Sequence, residues 1–217
     1  MTVTAADLGR ALESVENTLR PTVTRDWTRN AGELDWDCRQ TAEHVGDVLV
    51  SYAAQVVSRP QDHYVRFLAK ADEGATPQEL LELALTGGRL LRAAVSTSTQ
   101  DSRAYHPTGR ADPAGFAAMG CAELLLHGED LATGLGTALD PPREVCANVV
   151  ARVRSVGRPS LVRGPDRVAG QVTAGEVEVA GRAARGMTVP ECERWLPVTV
   201  GSGSLGYQGR EALQRTT

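Results

Sequence analysis

Residues 112–136 read DPAGFAAMGCAELLLHGEDLATGLG, and this stretch decides the fold class. Asp112 is a helix cap followed by proline in the first turn, where a missing N–H costs nothing. Phe116, Met119, Leu124 and Leu131 carry an apolar pattern forward, and Gly134 and Gly136 end it. The spacing predicts one long helix from Asp112 to Gly134.

Upstream, Thr76-Pro77 repeats the cap-and-proline start. Leu80, Leu81, Leu83, Ala84, Leu90 and Leu91 carry that helix to about Val95, and the stretch from Ser96 to Pro107 is polar and loop-like. Before it, Asp37 and Gln40 have the spacing of a capping box, with Trp36 where an apolar residue can staple the chain. The face of this helix runs Val45, Val48, Leu49, Tyr52 and Val56, and Pro60 closes it. Leu8, Leu12, Val15 and Leu19 place a first helix over 5–19; Pro21 interrupts it or begins a continuation. Downstream, Pro141-Pro142 opens a short fifth helix up to about Val153. Residues 5–155 therefore read as an all-α domain, a bundle of four main helices.

Beyond Ser155 glycine and arginine recur and long apolar runs stop. In this extension, residues 156–217, Val172, Val177 and Val179 around Ala174-Gly175 suggest a β-hairpin or small α/β piece.

Composition agrees. The chain has 217 residues, enough for one domain with a core and a small appendage. Aromatics are only 4 %, so the core must be built from Leu, Val and Ala, which favours helices over a β-sandwich. A net charge of −4 gives no general attraction to nucleic acid or anionic lipid. Arg152, Arg154, Arg158, Arg163 and Arg167 make a loose basic stretch, but no aromatic platform accompanies it, and a solvated segment is expected. Lys70 is the only lysine. No signal peptide and no apolar run of membrane-spanning length is visible. Cys38, Cys121, Cys146 and Cys192 are far apart and form no CxxC pair, which argues against a disulfide framework or a cysteine-type zinc site. A reduced cytoplasmic protein is expected. Oligomeric state is not legible.

The chemistry lies within Glu123-Leu-Leu-Leu-His127-Gly-Glu-Asp130. Glu123 and His127 are four apart and leave one helical face a turn from each other. Such a pair can share one ion, and zinc accepts both ligand types. The same pair also occurs as a plain side-chain contact on solvated helices. His44 supplies the third candidate ligand. It sits on the apolar side of its helix, where a hydrogen-bonded core histidine is the alternative, but metal sites in bundles are built from facing helices. Two His and one Glu leave a coordination position open, the pattern of a catalytic site. Asp130 would orient His127, accept a proton, or stand as a surface acid. His63 and His106 lie in polar stretches and read as solvated, and Cys121 reads as packed.

These residues resemble a known family. Trp36-Asp-Cys-Arg-Gln-Thr-Ala-Glu-His44-Val-Gly, followed by Glu123-x-x-x-His127-x-x-Asp130-Leu-Ala-x-x-Gly134, resembles the two signatures of the metal-binding domain of mycothiol-dependent maleylpyruvate isomerases. The resemblance covers roughly residues 5 to 136. It implies a DinB-like four-helix bundle and a zinc-type divalent ion on His44, Glu123 and His127. It also implies mycothiol as a small-molecule thiol cosubstrate, used on a small electrophilic substrate. In the isomerase the thiolate would add to the substrate's double bond, and rotation and elimination would give the trans product; thiol transfer is the related outcome. The family's second α/β domain has no match in residues 156–217. A non-catalytic metal- or ligand-binding regulator and a metal-dependent hydrolase are the competing expectations. The metal is expected to be zinc, though such sites also take nickel, cobalt or iron.

Overall fold

A computed structural model describes residues 2–107 and 109–156. The described residues are all-α: five helices and no strand. They are α1 (Ala5–Leu19), α2 (Cys38–Ser58), α3 (Pro77–Thr97), α4 (Pro113–Gly134) and α5 (Arg143–Val156). A 3₁₀ turn, Arg20–Thr22, takes up Pro21 after α1. The hairpin expected around Ala174-Gly175 and the rest of the extension lie outside the described residues.

The starts of the helices follow local chemistry. Asp37 accepts from the N–H of Gln40 at 2.7 Å while Gln40 accepts from the N–H of Asp37 at 3.1 Å, the expected capping box. Thr76 and Glu79 repeat it on either side of Pro77, and Thr4 with Asp7 adds a third box at α1. Asp112 caps α4 through the N–H of Gly115.

Packing centres on α4, which contacts α1, α2, α3 and α5 and buries residues around most of its circumference, among them Phe116, Cys121, Leu124, Leu125 and Leu131. A helix apolar on all sides belongs in the middle of a protein. The α2–α3 contact is the most extensive. It depends on two glycines. A Cβ on Gly46 would lie 2.5 Å from Cγ of Leu83, and a Cβ on Gly87 would lie 2.8 Å from the carbonyl oxygen of Gly46. The two backbones meet where side chains would hold them apart.

Sequence and structure differ on α3. Leu90 is 48 % exposed, whereas Leu85 is buried. The buried face runs Leu80, Leu81, Ala84, Leu85, Gly87, Gly88, Leu91 and Ala94, and Leu90 falls outside it. The short α5 packs on α4 and α1 and is tied to two helix starts. Asn148 donates to Asp7 at 3.2 Å, and Arg152 pairs with the cap Asp112 at 2.6 Å. Arg152 is thus part of the fold; the basic stretch from Arg158 onward lies outside the described residues. No described helix is long and apolar enough to cross a membrane.

Candidate metal centre

α2 and α4 bring His44, Glu123 and His127 together. One ligand-type atom from each lies within 4.8 Å of the others. The centre of the group is Oε2 of Glu123, 3.4 Å from Nε2 of His127 and 3.6 Å from Nε2 of His44. The two imidazoles meet edge to face, their centroids 5.2 Å apart. His44 is buried, while Glu123 and His127 are each about one-fifth exposed, so the group has an open side.

These separations bear on what the group can do. Direct hydrogen bonds from nitrogen to oxygen favour roughly 2.9 Å. Two ligands each about 2.0–2.1 Å from one tetrahedral ion are about 3.4 Å apart. The carboxylate is thus spaced from both rings as ligands are spaced around an ion, and loosely for a direct ion pair. The donor set, two nitrogens and a carboxylate oxygen, suits zinc.

The supporting residues fall on either side. Oδ2 of Asp130, one turn along α4, lies 3.2 Å from Nδ1 of His127. Trp36 packs its ring on His44, centroids 5.1 Å apart, rather than serving only as a staple. The loop carrying Trp36 also reaches the Asp130 turn: Gly32 has φ +58, and a Cβ there would lie 3.3 Å from Oδ1 of Asp130.

The charges follow from this arrangement. Burial works to raise the Glu123 carboxyl, but His127 and His44 outweigh it and hold it well below the usual carboxylate range. Burial works to lower His127, yet Asp130 and Glu123 push it up to about 9. Without a metal, the centre is an imidazolium between two carboxylates.

Several contributors escape the sequence reading. The hydroxyl of Tyr52 donates to Oε1 of Glu123 at 3.4 Å. Tyr52 is eight residues after His44, two turns along the same face, and that spacing was the available signal. A segment without regular structure, residues 63–71, lies along α2. It is held by Glu43, Asp47 and Gln55, which accept from the N–H groups of Ala71, Ala69 and Val65. Between this segment and α2, against His44, is a cavity of about 90 Å³.

The other histidines separate. His63 is exposed, as expected. His106 is not simply solvated: it is half-buried among the rings of Tyr52, Tyr64 and Phe116, centroids 6.1 to 6.5 Å away. Three of the chain's nine aromatic residues meet here. Cys121 is fully buried, and burial pushes its thiol up, as it does those of Cys38 and Cys146.

No known protein family, curated protein or solved structure matches this chain.

Proposed function

We propose that this chain binds a divalent metal, zinc first among candidates, through His44, Glu123 and His127 on a DinB-like four-helix bundle. We further propose that it uses the metal for thiol chemistry of the mycothiol-dependent maleylpyruvate isomerase type, cis-trans isomerisation or thiol transfer. The observation that carries the metal reading is the near-equal spacing of Oε2 of Glu123 from the two Nε2 atoms, 3.4 and 3.6 Å. The thiol reading rests on the joint signature from Trp36 to Gly134.

A bound zinc-type cation lowers the pKa of a thiol or water beside it and supplies a nucleophile at neutral pH. The chain's own residues do the rest. Asp130 holds the His127 ring, Tyr52 holds the outer oxygen of Glu123, and Trp36 and the α2 helix fix His44. The described cysteines are buried with raised pKa values, so the thiol would come from a small molecule.

The test is metal content of the purified protein beside His44→Ala and His127→Ala. About one zinc per chain, lost in both variants, is expected. Turnover of an activated cis-alkene that requires both zinc and added thiol would then carry the thiol reading. A folded wild type that takes up no zinc overturns the metal reading; zinc-dependent hydrolysis without thiol favours water as the nucleophile.

A further inference from the structure

Deepening the metal reading, and resting on it, we propose that Asp47 is to His44 what Asp130 is to His127: the carboxylate that orients a metal-binding imidazole, here through water in the cavity between α2 and segment 63–71.

The first argument is a repeated spacing. His44-Val-Gly-Asp47 on α2 matches His127-Gly-Glu-Asp130 on α4. Each histidine has an aspartate three residues on, one turn along the same helix. Both aspartates are buried, Asp47 at 2 % exposure and Asp130 at 7 %. Aspartates are seldom buried without an assigned task.

The second argument is an atom. Nδ1 of His44 is buried and makes no hydrogen bond among the described residues. When Nε2 of a neutral imidazole binds a metal, Nδ1 carries the proton and calls for an acceptor. His127 meets that requirement with Asp130. His44 lines the cavity between α2 and segment 63–71, and Asp47 lines the same cavity. Oδ1 of Asp47 already accepts from the N–H of Ala69 at 2.9 Å, and Oδ2 is buried as well. A cavity of about 90 Å³ between polar groups has room for bridging water. Asp47 would then join the metal centre to segment 63–71, one oxygen serving each.

The test is Asp47→Asn in the full chain. Asparagine keeps an oxygen for the Ala69 N–H but offers the bridging water a neutral amide donor in place of the carboxylate acceptor. Zinc affinity is read by chelator competition, the coordination by the absorption spectrum of the cobalt-substituted protein, and the segment by amide exchange at Ala69 and Ala71. The expected result is a roughly 10–100-fold loss of zinc affinity and an altered cobalt spectrum, with exchange at Ala69 and Ala71 unchanged. Wild-type affinity and spectrum in the variant overturn the role of Asp47 alone. So does a loss of affinity accompanied by fast exchange at both amides, which assigns Asp47 to the segment only. A wild type that binds no zinc overturns the metal reading and this inference with it. Where the variant does not fold, nitrogen NMR of the zinc-loaded wild type decides. A slowly exchanging Nδ1 proton on His44 is expected; exchange at the free solvent rate overturns the proposal.

Discussion

Oδ2 of Asp130 lies 3.2 Å from Nδ1 of His127, and the opposite nitrogen of the same ring lies 3.4 Å from Glu123. One imidazole spans two carboxylates, and only one of them is placed to share a metal with it. Carboxylates in the outer position fix ring orientation and raise ligand basicity. Asp130→Ala is expected to weaken zinc binding roughly 10–100-fold while leaving the helical circular dichroism unchanged. Unaltered affinity in a folded variant would remove Asp130 from the centre.

The same arrangement sets a pH dependence. Metal-free His127 has its pKa raised to about 9, so at pH 7 its ring carries both protons. Zinc requires the neutral ring, so binding must expel a proton. Apparent zinc affinity should rise roughly tenfold per pH unit from pH 7 and level off above the pKa. Without metal the sign reverses for stability: the pairing helps the fold fully below the unfolded pKa of about 6.5, and that help is lost as pH rises through about 9. Calorimetry in buffers of different ionisation enthalpy counts the proton; a buffer-independent heat would contradict the expectation.

Acid stability depends on a different aspartate. Burial works to raise Asp7, but Thr4, Asn148 and Arg10 outweigh it and hold the carboxyl below its ordinary value. Its stabilising effect is therefore present above the unfolded pKa and lost as pH falls through the folded one. Asp7→Ala should cost about 2 kcal/mol at pH 7, since it removes a capping partner and the anchor of α5 together. The gap between the thermal melts of wild type and variant should narrow as pH falls below the ordinary aspartate range. A constant gap down to pH 2 would contradict this.

The close approach of α2 and α3 makes Gly46 a sensitive position. Gly46→Ala should destabilise the protein by about 1–3 kcal/mol, because Leu83 stands 2.5 Å from where the new Cβ would be. His44 is two residues away, so zinc affinity should fall as well. Chemical denaturation and zinc titration measure both; a variant as stable as wild type would mean that Leu83 yields easily.

What the sequence made legible is mostly local. Asp37 with Gln40, Thr76-Pro77 and Asp112-Pro113 each announce a helix start through contacts a few residues long, and each start is observed. Glu123 and His127 share a face because a helix has one period, and that too can be read from spacing. That Leu90 is exposed was not legible, because a wide apolar stripe does not show its own edge. The ties from Asn148 to Asp7 and from Glu43 to Ala71 join residues far apart in the chain and carry no periodic mark. His106 among aromatic rings is likewise a product of tertiary packing.

Segment 63–71 is fastened to α2 by its own main chain, through the N–H groups of Val65, Ala69 and Ala71. Every residue except proline offers that group. The fastening is therefore largely indifferent to which side chains occupy the segment, although those of Leu68 and Lys70 form one wall of the space beside His44. Mutation can remould that wall while the helices and their ligands stay as they are. On such a scaffold, selectivity can diverge between descendants faster than the chemistry does.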